Sequence, residues 1–183
     1  MSQDLDKIIA GLKYWRFNLK NPKYDQNFQS RLIIQKLAFL CQFLGIKSRY
    51  FFTLYKNGPY SPDLTNDYYE YASQVANLDT DYRPTKKDID VYDKIEKHVL
   101  SHPLNKDYQA ELLEAVATVF YLKQFNPDYI EDDLFEKTKE EKPFIRDNII
   151  IIAINIVKEL MFKPEDLTDE LKEELDMWDR AED

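Results

Sequence analysis

The segment at residues 31–44, RLIIQKLAFLCQFL, restricts the fold of this chain more than any other, because its apolar side chains cover nearly the whole circumference of a helix. A helix that is apolar on almost all sides lies inside a domain. At about 100° per residue, its polar residues Arg31, Gln35 and Gln42 fall within about 40° of one another. We therefore predict a central helix that has only this polar stripe available for contact with a partner.

An aromatic strand and a turn follow the central helix. The run YFFTLY at residues 50–55 has the aromatic and β-branched side chains that are typical of strands. The next residues have the types that turns and helix N-termini prefer: Asn57, Gly58, Pro59, Tyr60 and Ser61. We predict that the later extended segment at residues 80–85, TDYRPT, pairs with the strand in a small antiparallel hairpin.

The remaining segments show the helical spacing of apolar residues. Residues 111–125 predict a second buried helix. Thr85 with Asp88 resembles a capping box, and Asp147 is a candidate N-cap for a later helix. A shorter, charged helix from about Asp128 to Lys139 is expected to direct Ile130, Leu134 and Phe135 into the core.

Together these segments predict a mainly α fold. We expect a single compact domain of about seven or eight helices with a small two-stranded hairpin, for which a winged-helix-like arrangement is one form. Residues 1–164 are assigned to this domain. Residues 165–183 are expected to form an acidic amphipathic helix that docks on it through one apolar stripe, made of Leu167, Leu171, Leu175 and Trp178.

Composition restricts the compartment in which such a chain works. The one cysteine, Cys41, has no partner for an intramolecular disulfide, and no signal segment precedes the first helix. The longest apolar run, residues 149–154, is far shorter than the ~20 residues that cross a bilayer. We therefore expect a soluble, cytoplasmic protein without membrane contact.

Charge is distributed unevenly along the chain, whose net charge is −9. Residues 1–64 contain ten basic and four acidic side chains, whereas residues 163–183 contain three basic and ten acidic ones. The basic part either binds nucleic acid or lies against the acidic end of the same molecule. The helix predicted after the turn carries Asp63, Asp67 and Glu70, which phosphate groups repel. These acidic side chains argue against DNA binding, so a winged-helix-like DNA-binding transcriptional regulator is the alternative function rather than the main one.

No arrangement of residues predicts catalysis or a cofactor. His98 and His102 have the spacing of two metal ligands on a helix, but Pro103 disfavours helix at His102 and no acidic residue lies between them. Cys41 lies in an apolar helix, where a thiol is usually inert. The chain has three glycines and no phosphate-binding loop. We expect no catalytic residue, no metal and no cofactor.

Four segments together carry a family resemblance. The central helix contains Ile34-Gln35-Lys36-Leu37, and the strand and turn contain Phe52-x-x-Tyr55-x-Asn57-Gly58-Pro59-Tyr60-Ser61. The other two are residues 111–118 and Lys142-Pro143-Phe144. These segments resemble the Panacea (SocA-like) antitoxin domains and the related YwgA-type proteins, with the third similar to the late buried helix of that family and the fourth similar to the loop before its last helix. The resemblance covers most of residues 28–162.

This resemblance implies a helical, non-enzymatic domain that neutralises a toxin encoded beside it, by direct binding or by delivery to a protease. The implied partner is thus a protein. We predict that it is contacted by the polar stripe and the turn: Arg31, Gln35, Gln42, Asn57, Gly58, Pro59, Tyr60 and Ser61. For Gly58, Pro59 and Ser61 a second interpretation stays open, in which they only shape the turn and cap a helix.

Overall fold

The computed structural model describes residues 2–20 and 28–163 and four positions beyond them, Glu165, Asp169, Lys172 and Glu173. These residues are mainly helical and include one two-stranded antiparallel sheet, which confirms the predicted fold class. In chain order the elements are α1 (Gln3–Tyr14), α2 (Gln29–Leu44), β1 (Thr53–Tyr55), β2 (Gly58–Tyr60), α3 (Pro62–Glu70), α4 (Ala72–Asn77), α5 (Lys86–Ile95), a π-helical segment (Glu96–Leu100), α6 (Asn105–Phe125), α7 (Glu131–Glu141) and α8 (Asp147–Met161).

The core is built around α2 and α6. The predicted central helix α2 is buried along most of its length, and Leu37, Phe39 and Leu40 have no exposed surface. Helix α6 packs against α2, α7 and α8. Its Phe120 ring meets the Phe39 ring edge-on, with the ring centroids 5.8 Å apart. Each large apolar side chain buried in this way contributes about 1.5–3 kcal/mol to stability.

Local hydrogen bonds begin several of the helices. Ser61 caps α3 by accepting from a backbone N–H, and Thr85 forms the predicted capping box with Asp88 at the start of α5. The prediction that Asp147 caps α8 is wrong by one position, because Arg146 is the N-cap residue. Asp147 instead occupies the first turn of α8, where the helix dipole favours a carboxylate.

The hairpin differs from the predicted one. β1 pairs with β2, which follows it directly, and Tyr55 lies opposite Gly58 in the antiparallel register. The turn ends on Gly58, whose φ of 85° lies in the left-handed region that favours glycine. Residues 80–85 form no strand, so the prediction that they pair with β1 is wrong. The Tyr82 hydroxyl instead donates to the Asp88 carboxylate at 2.8 Å, which holds this segment against α5.

Two other predictions concern the later part of the chain. Of the three side chains expected to point inward, Leu134 is buried and Phe135 packs against the core while partly buried. Ile130 is 64% exposed, so that part of the prediction is wrong, because α7 begins after it. The apolar residues of the predicted tail helix, Leu167, Leu171, Leu175 and Trp178, lie outside the described residues, so the docked tail and the division at residue 164 stay predictions. No helix in the described part of the chain is both long and apolar enough to span a membrane.

Candidate functional site

A cavity of about 400 Å³ lies between the first half of α2 and the hairpin, and we call it the hairpin pocket. One side is formed by Phe28 and by four residues of α2: Arg31, Leu32, Gln35 and Lys36. The other side is formed by Tyr55, Lys56, Asn57, Gly58 and Tyr60, with Thr65 of α3. Five of the eight predicted contact residues therefore line one pocket: Arg31, Gln35, Asn57, Gly58 and Tyr60.

Gln35 fastens the start of α3 to α2. Its side chain is only 4% exposed, and its amide oxygen accepts from the Ser61 N–H at 2.9 Å. Its amide nitrogen donates to the Ser61 carbonyl at 3.0 Å and to the Thr65 hydroxyl at 2.9 Å. Gln35 is therefore not part of an exposed stripe, because both ends of its amide are used inside the protein.

Gln42 lies two turns further along α2 and does not line the pocket. Its amide nitrogen donates to the Tyr50 carbonyl at 2.9 Å, which holds the chain as it leaves α2. Its amide oxygen is buried and has no hydrogen-bond partner among the described residues. Of the three residues of the predicted stripe, Gln35 and Gln42 therefore make contacts within the protein. Arg31 alone reaches the rim of the pocket.

Pro59 and Ser61 anchor the hairpin rather than border the solvent. Both are buried, and the Ser61 hydroxyl accepts from the Leu64 N–H at 3.4 Å as the N-cap of α3. The Pro59 carbonyl accepts a hydrogen bond from Lys36. Within the fold, Pro59 and Ser61 therefore act as the second interpretation states, by shaping the turn and capping a helix. Asn57 and Tyr60 stay partly exposed at the pocket.

Two buried lysines hold the hairpin from beneath. The Lys36 ammonium, on a residue only 2% exposed, donates to the Pro59 carbonyl at 2.9 Å. Lys142, 1% exposed, follows α7 and donates to the carbonyls of Tyr55 and Lys56. The hairpin backbone is thereby attached to two separate parts of the helical scaffold.

Glu114 of α6 joins these lysines in a buried cluster that we call the lysine–glutamate cluster: Lys36, Glu114 and Lys142. Burial lowers the pKa of Lys36 to about 7, against the opposing effect of Glu114. Burial also lowers the pKa of Lys142 and raises that of Glu114. A charge in such surroundings needs compensation, and each lysine donates to a carbonyl of the hairpin. Glu114 attracts both lysines without a hydrogen bond to either, and its Oε1 atom is buried without a hydrogen-bond partner among the described residues.

Sequence reasoning missed this cluster. Lys36 stands alone among apolar residues of a buried helix, and Lys142 lies in a loop before a proline. A lone lysine in an apolar helix is a signal for a buried charge that needs a partner, because lysine is almost never fully buried otherwise. The identity of the partners depends on how distant segments pack, which the local pattern does not encode.

The rim of the pocket is aromatic. Tyr55 is 53% exposed, and its ring meets the Tyr60 ring edge-on with the centroids 5.2 Å apart. Arg31 donates to the Tyr69 hydroxyl, and its guanidinium lies over the Tyr69 ring, 5.4 Å from the centroid. Phe28 is also exposed beside the pocket. Tyrosine, other aromatic residues and arginine are the types enriched at the centres of protein interfaces.

The histidine pair also lines a cavity, of about 300 Å³, together with Glu159. The Nδ1 atom of His98 is 2.6 Å from the Glu159 carboxylate. The Nδ1 atom of His102 accepts from the Leu104 N–H at 3.2 Å. The two imidazoles thus have separate partners, and the described residues contain no cluster of three metal-ligating side chains. Cys41 is buried, which raises the pKa of its thiol and disfavours the reactive thiolate.

Comparison with known proteins adds no assignment for the pocket. No family model matches the chain, and no curated protein and no solved structure matches it either. The function of the pocket is therefore inferred from its own geometry and from the sequence.

Proposed function

We propose that this protein is a binding module that acts by protein–protein contact and uses the hairpin pocket with its rim as the contact surface. One observation carries the proposal: Arg31 and the exposed rings of Phe28, Tyr55 and Tyr69 surround a concave site. Such side chains give large contact areas at low cost in conformational entropy, and they dominate binding energy when a partner covers them. Catalysis by the protein itself is not part of this proposal.

The form of binding that we propose is antitoxin-like. The resemblance of residues 28–162 to the Panacea domains supports it, because the better-studied members of that family neutralise a toxin encoded beside them. The pocket supports it as well, since a preformed concave surface suits the capture of one particular protein. The partner is then the product of the neighbouring gene, held directly or handed on to a protease.

The test expresses the neighbouring gene product alone, with the wild-type protein, and with the double variant Arg31→Ala, Tyr60→Ala. Wild-type protein is expected to restore growth and to bind the purified product, and the double variant to bind at least about 100-fold more weakly, since it removes two central interface side chains. Isothermal titration calorimetry gives Kd, and thermal unfolding confirms that the variant is folded.

The matched control is the double variant Tyr14→Ala, Arg49→Ala, which removes an exposed tyrosine and an exposed arginine away from the pocket. It is expected to bind like wild type. Equal binding by a folded Arg31→Ala, Tyr60→Ala variant would remove the pocket from the contact surface. A neighbouring product that neither harms cells nor binds this protein would end the antitoxin form of the proposal.

A further inference from the structure

The residues that line the hairpin pocket carry positive charge, although the whole chain is acidic. Arg31, Lys36 and Lys56 contribute three cationic side chains, and none of the described residues that line the pocket is an aspartate or a glutamate. The net charge of the chain is −9, so this local charge is the reverse of the average. Cationic side chains around a site of low polarity attract an anionic group more strongly than the same charges on an open surface.

The same pocket has apolar walls. Phe28 and Leu32 lie on the α2 side, and the rings of Tyr55 and Tyr60 lie on the hairpin side. Its volume of about 400 Å³ is within the range of sites that hold a small molecule or one large side chain. An occupant that matches both properties carries an apolar group next to a negative charge.

The Lys36 ammonium has capacity for such a charge. A protonated lysine has three N–H donors. Among the described residues, the hydrogen bond it donates goes to the Pro59 carbonyl. Its side chain also lines the pocket, at a residue that is only 2% exposed and whose Nζ atom lies beneath Gly58. A carboxylate that enters the pocket would therefore add a second acceptor to a buried ammonium.

We propose that the hairpin pocket binds a carboxylate that is attached to an apolar or aromatic group, presented by a segment of the partner protein, with Lys36 as the residue that recognises the charge. This inference rests on the proposed function, since it names the chemistry of the segment that the binding module captures. Arg31 and Lys56 strengthen the attraction from the rim, and the apolar walls hold the attached side chain.

Binding of this kind is coupled to protonation. Burial keeps the pKa of Lys36 at about 7, so part of the population is neutral at pH 7. The charged groups around Lys36 are Glu114 of α6, Lys142 after α7, Lys56 of the hairpin and Arg31 of α2. A bound carboxylate favours the ammonium form and raises its pKa, so binding takes up a proton. Affinity therefore decreases as the pH rises above about 7.

The probe is hydrocinnamate, an aromatic ring joined to a carboxylate, and its matched neutral compound is hydrocinnamamide. Amide NMR spectra of the full chain are recorded during titration with each compound at about pH 6.5 and about pH 8.5. Hydrocinnamate is expected to shift the Asn57 and Gly58 signals in a saturable way, with Kd at least about tenfold lower than for the amide. Its Kd is expected to rise at least about threefold at the higher pH.

Three variants assign the effect to the pocket. Lys36→Met conserves the shape of the side chain and is expected to abolish the preference for the carboxylate and its pH dependence. Lys56 is exposed, so Lys56→Gln tests the charge at the rim without risk to folding. This variant is expected to raise Kd about threefold. Lys13→Gln, an exposed residue of α1 outside the pocket, is expected to leave Kd unchanged.

Equal affinity for the carboxylate and the amide, or the absence of saturable shifts at Asn57 and Gly58, would overturn the inference. So would a charge preference that survives in a folded Lys36→Met variant or, if that variant does not fold, a Kd that Lys56→Gln leaves unchanged. Binding of the partner protein that depends on Arg31 and Tyr60 but not on Lys36 or on pH would leave the proposed function standing and remove this inference alone.

Discussion

At Gly58, both the backbone conformation and the packing restrict which residue type the fold accepts. Its φ of 85° is a conformation that other residues adopt only with strain. A Cβ atom added there would lie 3.1 Å from Lys36 Cε and 3.1 Å from Thr118 Oγ1. The hairpin therefore approaches α2 and α6 so closely that a methyl group at this position would require Lys36 and Thr118 to move by a few tenths of an ångström.

Gly58→Ala is expected to lower the free energy of unfolding by about 2–4 kcal/mol, as the sum of left-handed strain and overpacking. Urea denaturation measures the change. Adding Thr118→Ala to this variant removes one of the two close atoms, so the double variant is expected to be more stable than the two single effects together predict. A loss of less than about 0.5 kcal/mol in Gly58→Ala would show that the backbone moves away without cost.

At the level of residues, the sequence predicts what depends on near neighbours. The capping role of Ser61 and the capping box of Thr85 follow from side chains that reach a backbone group three positions away. The prediction that Ile130 points inward is wrong because of where α7 starts. The Asp133 carboxylate accepts from the Ile130 N–H, so Ile130 is the N-cap residue and α7 begins at Glu131. The partners of Lys36 are distant in the chain, and no local rule identifies them.

At the level of elements, the hairpin is a small sheet stabilised by its surroundings. Its two strands have three residues each, and a hairpin of this size is marginal by itself. β2 lies against α2 and α6, and the Lys142 ammonium binds two carbonyls at the turn. The hydrogen bonds from Lys142 to these carbonyls stabilise the hairpin, as additional strands do in a larger sheet.

Lys142→Met is expected to lower the free energy of unfolding by about 1–3 kcal/mol, because two carbonyls of the hairpin lose a charged donor. Amide hydrogen exchange should increase most at β1 and β2, while α6 and α8 exchange as in wild type. Lys137→Met, a change at an exposed residue of α7 whose ammonium lies 2.8 Å from the Glu140 carboxylate, is the control and should change stability by less than about 1 kcal/mol. Equal exchange throughout the chain in Lys142→Met would show that this lysine does not hold the hairpin.

The sequence predicts the kind of each main element more reliably than its pairing. The apolar periodicity of α2 and α6 is strong enough to identify both as buried helices. The hairpin was predicted with residues 80–85 as the second strand, although the Asn57-Gly58 pair is itself a strong local hairpin signal. Proline disfavours a strand in general, and Pro59 is accommodated because β2, within the described part of the chain, pairs with β1 alone.

For the whole molecule, the buried lysine makes stability depend on pH. The pKa of Lys36 is lowered by burial from 10.5 to about 7. Between these two values the unfolded chain binds more protons than the folded protein, so the free energy of unfolding rises with pH. Lys142, whose pKa is also lowered by burial, acts in the same direction.

We therefore expect wild-type protein to become more stable between about pH 7 and about pH 9, by at most about 1.4 kcal/mol per pH unit for Lys36 alone. Urea denaturation at a series of pH values measures the slope. Lys36→Met should show a smaller slope, with the remainder due to Lys142. The same slope in both proteins would mean that Lys36 keeps an ordinary pKa in the folded state.

The attachment of the hairpin to Lys142 also has a consequence for the order of folding. The hydrogen bonds from Lys142 close chain separations of 87 and 86 residues, and such distant contacts form late because loop closure costs entropy before they stabilise anything. The hairpin thus reaches its final position only after α6 and α7 have docked. A partly folded or nascent chain has no hairpin pocket, so the proposed binding would be restricted to molecules that have completed their core.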